Sequence, residues 1–111
     1  MNNKTFVAKI TWLSKEQGGR KGKIPIGLKK YAPLIAIDGN KIFNGSAWSV
    51  ICFPFELIEE NKTKALIRFL NAEDAPDILR QGIVFELFEG AKKVADGEII
   101  EESSYCLEID K

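Results

Sequence analysis

The stretch TFVAKITWLSKEQGGRKGKIPIGLKKYAP, residues Thr5 to Pro33, decides the fold that we predict for this chain. Its first part alternates between apolar and polar residues, and its apolar face consists of Phe6, Ala8, Ile10 and Trp12. This period of two predicts a half-buried strand. The stretch then becomes a basic loop, in which Gly18-Gly19 permits a sharp turn. A rigid strand that leads into a flexible basic loop is typical of a binding surface.

Further apolar, strand-like runs follow along the chain, at residues 31–38, 47–55, 64–70, 83–88, 93–100 and 105–109. We expect Pro54 to end the third strand or to lie on a sheet edge, because proline has no N–H to donate to a ladder. Residues 56–61 are then expected to form a polar connection. A helical turn competes only within Asn71–Gly82. Six or seven short strands without a long amphipathic helix predict an all-β barrel or sandwich.

Length and composition predict one globular domain over residues 1–111. The chain has 111 residues, of which 45% are hydrophobic, which suits a single packed core. No apolar run has the length that a membrane span needs. The first residues lack the apolar core of a signal peptide, so we expect a cytoplasmic location and no membrane partner.

The residues that most enzymes use are largely missing from this sequence. There is no histidine, which removes the commonest general base and the usual triad partner. Neither a phosphate-binding loop nor a Gly-x-Ser-x-Gly motif is present. Cys52 and Cys106 are too few for a zinc site, and each lies in an apolar run typical of a buried thiol. We therefore expect no catalysis, no cofactor and no metal.

Charge is distributed unevenly along the chain although the net charge is +0. Residues 1–31 carry eight basic residues and one acid, whereas the remaining 80 residues carry eight basic and 15 acidic residues. A group of basic residues precedes an aromatic one in the loop, namely Arg20, Lys21, Lys23, Lys29, Lys30 and Tyr31. Such a patch can bind phosphate, and the aromatic ring can stack on a base. A solvated basic loop that keeps the domain soluble explains the same residues.

Three stretches, taken in order, resemble the C-terminal β-barrel domain of the elongation factor Tu family. The first is Phe6–Arg20, which ends in Leu-Ser-Lys-Glu-Gln-Gly-Gly-Arg. The second is Gly27 followed by Tyr31–Ile37, which is similar to the family's Tyr-Arg-Pro and the strand after it. The third is Gly82–Ile100, which is similar to the closing pair of strands. The resemblance implies one closed antiparallel barrel of about six strands with Greek-key-like connections.

The sequence also departs from this family pattern. No Met-Pro-Gly-Asp turn lies between Ser46 and Lys64, and Ala32 replaces the arginine of Tyr-Arg-Pro. In the closing hairpin, Ala91 and Lys92 replace a glycine and an arginine. The family's GTPase domain and middle barrel have no counterpart in these residues. The resemblance therefore implies a stand-alone accessory domain in a translation-related setting rather than an elongation factor.

Two binding functions remain open from the sequence. In the family the barrel helps to hold the T stem of aminoacyl-tRNA, which implies an RNA-binding role for the loop 20–31 and for Lys92. The family barrel also contacts proteins, and Trp12, Trp48 and Phe55 are candidate anchors, although core packing is the favoured explanation for all three, because they lie in or beside apolar strand runs. A net-neutral chain is not typical of nucleic-acid binding, so we favour a protein partner. The sequence does not predict the oligomeric state.

Overall fold

The computed structural model describes residues 4–19, 24–27, 31–37, 48–70 and 79–104. Within these ranges the chain is all-β, with one short 3₁₀ turn at Lys15–Gln17. Its six strands are β1 (Thr5–Trp12), β2 (Leu34–Ile37), β3 (Trp48–Glu59), β4 (Lys62–Phe69), β5 (Val84–Glu89) and β6 (Lys92–Ser103).

The six described strands form one antiparallel sheet that closes on itself in the order β1-β4-β3-β2-β5-β6. β2, β3 and β4 are neighbours in sequence and in space, and β1 lies beside β4, which is a Greek-key arrangement. β1 completes the ring by pairing with β6 on its other side, with Thr5 opposite Ser103 and Trp12 opposite Ala95. The predicted all-β antiparallel barrel is confirmed.

The core occupies the inside of the ring, and β1 shows how the sequence places it there. Its four predicted inward residues, Phe6, Ala8, Ile10 and Trp12, are all buried. They pack with inward residues of the other strands, including Val50, Cys52, Ile67, Phe69, Leu87 and Ile99. The period-two reading of β1 is therefore confirmed, since alternate side chains of a strand point to one face.

Two expectations about β3 are wrong, namely that Pro54 could end the strand and that residues 56–61 form a polar connection. β3 continues through Pro54 to Glu59, and only a two-residue turn separates it from β4. The backbone N–H of Cys52 donates to the Tyr31 carbonyl at 2.9 Å, and the Pro54 carbonyl accepts from Gly27 at 2.8 Å. Backbone groups at these positions thus point away from β4. The missing N–H of Pro54 costs no bond to β4, as the edge alternative for this residue anticipates.

The remaining predictions concern the closing hairpin, the two cysteines, the helical turn and the last strand. The closing hairpin is confirmed as β5 and β6, joined by a turn at which Gly90 has a φ of 65°. Cys52 is a free, fully buried thiol, and desolvation raises its pKa to about 12. Cys106, most of the segment Asn71–Gly82 and the strand predicted at residues 105–109 lie outside the described residues.

Candidate binding surface at one end of the barrel

Three connections of the barrel meet at one of its ends. β1 finishes there at Trp12, and the β3–β4 and β5–β6 turns lie at the same level, because Thr11 pairs with Lys62 and Trp12 with Ala95. The connection from β1 to β2, residues 13–33, starts and finishes at this end as well. We call it the loop end. The sequence-predicted basic loop belongs to this connection.

The first residues of this connection are fixed on the barrel by hydrogen bonds. The Leu13 N–H donates to the Val94 carbonyl at 2.9 Å, and the backbone N–H groups of Ser14 and Gln17 each donate to the other's side chain. Gly18 has a φ of 86°, which confirms the predicted sharp turn. At Gly19 a Cβ atom would lie 2.2 Å from the Leu13 carbonyl oxygen, so no other residue fits without a shift.

The five predicted basic residues of the loop, Arg20, Lys21, Lys23, Lys29 and Lys30, lie outside the described residues. The remaining two candidates, Tyr31 and Lys92, are described and lie close together. Lys92 is exposed and begins β6 opposite Glu89. The Tyr31 hydroxyl donates to Oε2 of the same Glu89 at 2.6 Å. Tyr31 and Lys92 are thus both neighbours of Glu89.

Tyr31 has a different role from the base stacking that the sequence suggested. Its side chain is 8% exposed, and its ring packs on Trp12 with a centroid distance of 5.9 Å. Its carbonyl accepts from the Cys52 N–H, while its hydroxyl bonds Glu89. A buried ring cannot present a face to a nucleobase, whereas these contacts fix Tyr31 to β1, β3 and β5. Tyr31 is an anchor of the loop.

The outer half of β3 is the part of the loop end with exposed apolar side chains. Between Pro54 and Glu56, and again between Leu57 and Glu59, β3 bulges against β4. Each bulge leaves one large apolar residue, Phe55 or Ile58, without a residue directly opposite, and bulges redirect side chains in this way. Phe55 and Ile58 are each 41% exposed and Leu57 is 54% exposed. We call residues 55–59 the β3 edge.

The β3 edge is paired on one side only within the described residues. β2 pairs with β3 only at Trp48 and Ser49, and residues 31–33 and Gly27 continue alongside as far as Pro54. Beyond Pro54, no described residue makes a backbone hydrogen bond to β3 on the side away from β4. Ile26, next to Gly27, is also 44% exposed. Clustered exposed apolar side chains are typical of interaction sites.

The three predicted anchor residues differ clearly in how much of each side chain is exposed. Trp12 is 2% exposed, and its indole N–H donates to Thr63 Oγ1 at 3.0 Å. Trp48 is partly buried and packs edge-on against Phe69. Phe55 is exposed. Sequence reasoning missed Leu57 and Ile58 because it assigned them to a polar connection, although two adjacent apolar residues after a strand were a signal that the strand continues.

The outside of the barrel carries charges of both signs, because strands from the basic and the acidic parts of the sequence lie side by side. One row across the sheet reads Glu56, Lys64, Lys9 and Glu98 on successive strands. A neighbouring groove of about 430 Å³ contains lysines, glutamates and an aspartate. The described outer face therefore has no large region of one sign.

A three-residue ion cluster lies beside this groove. The Lys93 ammonium lies 2.8 Å from carboxylate oxygens of both Asp96 and Glu86. Hydrogen bonds to Asp96 and then Glu86 raise the pKa of Lys93. Because one cation serves two acids, the cluster offers no free positive charge to a phosphate group.

Neither the described side chains nor the comparisons with known proteins point to a particular ligand. Within the described ranges, no group of three or more cysteines or acids is placed to hold a metal ion. Nor does any helix among those residues have the length and apolar character to cross a membrane. No protein-family model and no curated protein matches this chain. The likeness to the elongation factor Tu barrel therefore rests on the three sequence stretches alone.

Proposed function

We propose that this chain is a non-catalytic protein-binding domain and that the β3 edge is its contact surface. The observation that carries the proposal is the exposure of Phe55, Leu57 and Ile58 along the twice-bulged outer half of one strand. Exposing such side chains to water costs free energy, on the order of 25 cal/mol per Å² of apolar surface, which a partner would recover by covering them. The elongation factor Tu resemblance supports a translation-related setting, in the cytoplasm.

Affinity capture from a cell lysate tests the proposal if it includes matched variants. The test variant is Leu57→Lys/Ile58→Lys, and the matched control is Val84→Lys. Val84 is 51% exposed, comparable to the 54% of Leu57, but lies at the start of β5 at the opposite end of the barrel. Thermal unfolding should first show that all three proteins are folded.

We expect the wild type and the Val84→Lys protein to retain a common partner that the double variant loses. Nuclease treatment should leave this capture unchanged. Equal capture by the double variant would overturn the assignment of the β3 edge, because two buried ammonium groups in an apolar interface are strongly unfavourable.

The alternative function is RNA binding, with tRNA as the family's ligand. It is supported by the basic composition of the loop 20–31 and by the position of Lys92 beside Tyr31 at the loop end. RNA retained in a nuclease-sensitive manner, and lost on replacing Lys21, Lys23, Lys29 and Lys30 by glutamine, would favour it. Phosphate binding would also weaken steeply with salt, whereas an apolar contact would change little.

A further inference from the structure

The β3 edge offers backbone groups as well as apolar side chains. All residues from Phe55 to Glu59 are exposed, and the last described bond on the side away from β4 joins Gly27 to Pro54. No described residue bonds the remaining N–H and C=O groups on that side. An edge of this kind can accept another strand, with hydrogen bonds giving affinity and alternate side chains giving specificity.

We propose that a basic, extended segment of a partner protein adds to β3 as a further strand along residues 55–59. This inference rests on the proposed function and specifies the partner of the same surface. It requires a segment of about five residues in which lysine or arginine alternates with aliphatic side chains.

Charge identifies the segment as basic. The charged residues on β3 beyond Pro54 are both acids, Glu56 and Glu59, and Glu60 follows in the turn. Among the described lysines, the nearest are Lys62 and Lys64 on β4, one strand further from an incoming segment. Because directly opposite charges in neighbouring strands stabilise a sheet and like charges destabilise it, lysine or arginine is favoured on the added strand.

The same features disfavour a second copy of this chain as the occupant. Pairing two β3 edges would bring six glutamates, Glu56, Glu59 and Glu60 of each copy, into one small region. A heterologous basic strand escapes the charge repulsion that a second copy meets.

The test uses the full chain and a synthetic probe, a nine-residue peptide of alternating lysine and valine with blocked termini. Binding is followed by backbone amide chemical shifts and by hydrogen exchange. We expect shifts and slowed exchange at residues 55–59. A glutamate-valine peptide should not bind, and the lysine-valine peptide N-methylated at every residue should bind at least about tenfold more weakly, since one lost hydrogen bond of 1.4 kcal/mol is already tenfold.

Three results would overturn the strand addition. They are equal binding of the N-methylated peptide, equal binding of the glutamate peptide, and shifts concentrated away from β3. A Glu56→Gln/Glu59→Gln/Glu60→Gln variant gives an independent check. It should bind the lysine peptide about fivefold more weakly at low salt, because these charges border the contact.

Failure of this inference is distinguishable from failure of the proposed function. If capture from lysate depends on Leu57 and Ile58 but the peptides do not pair with the edge, the protein-binding function stands and strand addition is wrong. If the lysine peptide pairs with the edge while capture ignores both substitutions, the edge binds strands but is not the partner's contact surface.

Discussion

The two halves of β3 are both rich in apolar residues but have opposite environments. From Trp48 to Pro54 the strand is mostly buried and has neighbours on both sides, β4 on one and β2 with residues 31–33 on the other. From Phe55 to Glu59 it is exposed, and β4 is its one neighbour among the strands that the structure describes. Apolar residues are common in both halves. Whether these residues are buried depends on β2, which is short and pairs only with the inner half of β3.

This contrast shows that the apolar character of a strand does not by itself place it in a core. In the inner half, Val50 and Cys52 face the centre of the ring and are fully buried. In the outer half, Leu57 is opposite the buried Thr63 but lies at the mouth of the barrel, where 54% of it is exposed. The exposed apolar area therefore follows from how the strands pair rather than from residue type. The difference between the two halves of β3 can be measured by stability and by thiol reactivity.

The largest difference is expected between two phenylalanines. Phe69→Ala, which empties a site 2% exposed and opposite Val50, should lower the free energy of unfolding by about 3–5 kcal/mol. Phe55→Ala should change it by less than about 0.5 kcal/mol, because that ring is 41% exposed. Urea unfolding followed by fluorescence provides both values. Similar losses of unfolding free energy in both variants would show that Phe55 is part of the core. The two halves of β3 would then not differ.

Thiol reactivity should differ strongly along the same strand. With a pKa of about 12, Cys52 is ionised to only about one part in ten thousand at pH 8, and its burial blocks the reagent as well. A cysteine introduced by Leu57→Cys should have a pKa near 8.5, so its alkylation should be at least about a thousandfold faster.

Peptide mapping after timed treatment with iodoacetamide measures the two rates and separates Cys106 from both. Urea should bring the Cys52 rate close to that of the introduced thiol. Rapid native labelling of Cys52 would mean that the inner half of β3 opens readily.

A smaller effect on stability is expected at Thr63, a core residue opposite Leu57 in the outer half of β3. Thr63→Val removes the acceptor of the buried Trp12 N–H and should cost about 1–3 kcal/mol. The control Thr11→Val, on the outer face of β1, should cost less than about 0.5 kcal/mol. In the double variant Trp12→Phe/Thr63→Val, the two losses should be less than additive by more than about 0.5 kcal/mol, because the bond is shared. Full additivity would show that the bond contributes nothing.

The smallest effects concern surface ion pairs. Lys93→Gln breaks two 2.8 Å contacts on the barrel and should cost about 0.5–1 kcal/mol after solvent screening, whereas Lys62→Gln, whose contact to Glu59 is 3.7 Å, should cost close to zero. The folded-state pKa of Lys93 is raised above its ordinary 10.5, so its contribution is complete below that pH and lost as pH rises further.

Unfolding of the wild type and Lys93→Gln proteins at pH 7, 9 and 11 measures this dependence. The difference between them should be the same at pH 7 and 9 and smaller at pH 11. A difference that grows with pH would contradict the raised pKa.

Much of the barrel could be predicted from the sequence because one alternating strand fixes its own inward face. Phe6 to Trp12 shows this period, and the closing hairpin around Gly90 shows the turn chemistry of its two strands. The continuation of β3 was hard to predict from residue types, since Pro54 and the glutamates argue against a strand and only Leu57 and Ile58 favour one. Only the direction of the Pro54 backbone, set by the tertiary neighbours, makes proline acceptable there.

The candidate surface was harder to predict than the fold. Tyr31 looks the same in the sequence whether its hydroxyl meets solvent or Glu89, which is 58 residues away. The same holds for charge, because the row from Glu56 to Glu98 joins segments that are distant in the chain. Pairing between distant strands decides both, and no local pattern encodes it.

The closure of the ring through β1 and β6 has a consequence for how the protein folds. Thr5 pairs with Ser103, so β1 has hydrogen-bonded neighbours on both sides only after β6 has formed. Pairings of such large sequence separation slow folding, because the loop must close before the contact repays its entropy. During synthesis on the ribosome, β1 would pair with β4 first and keep an open side until β6 emerges. Until then the open side of β1 is a place where the growing chain can pair with another strand.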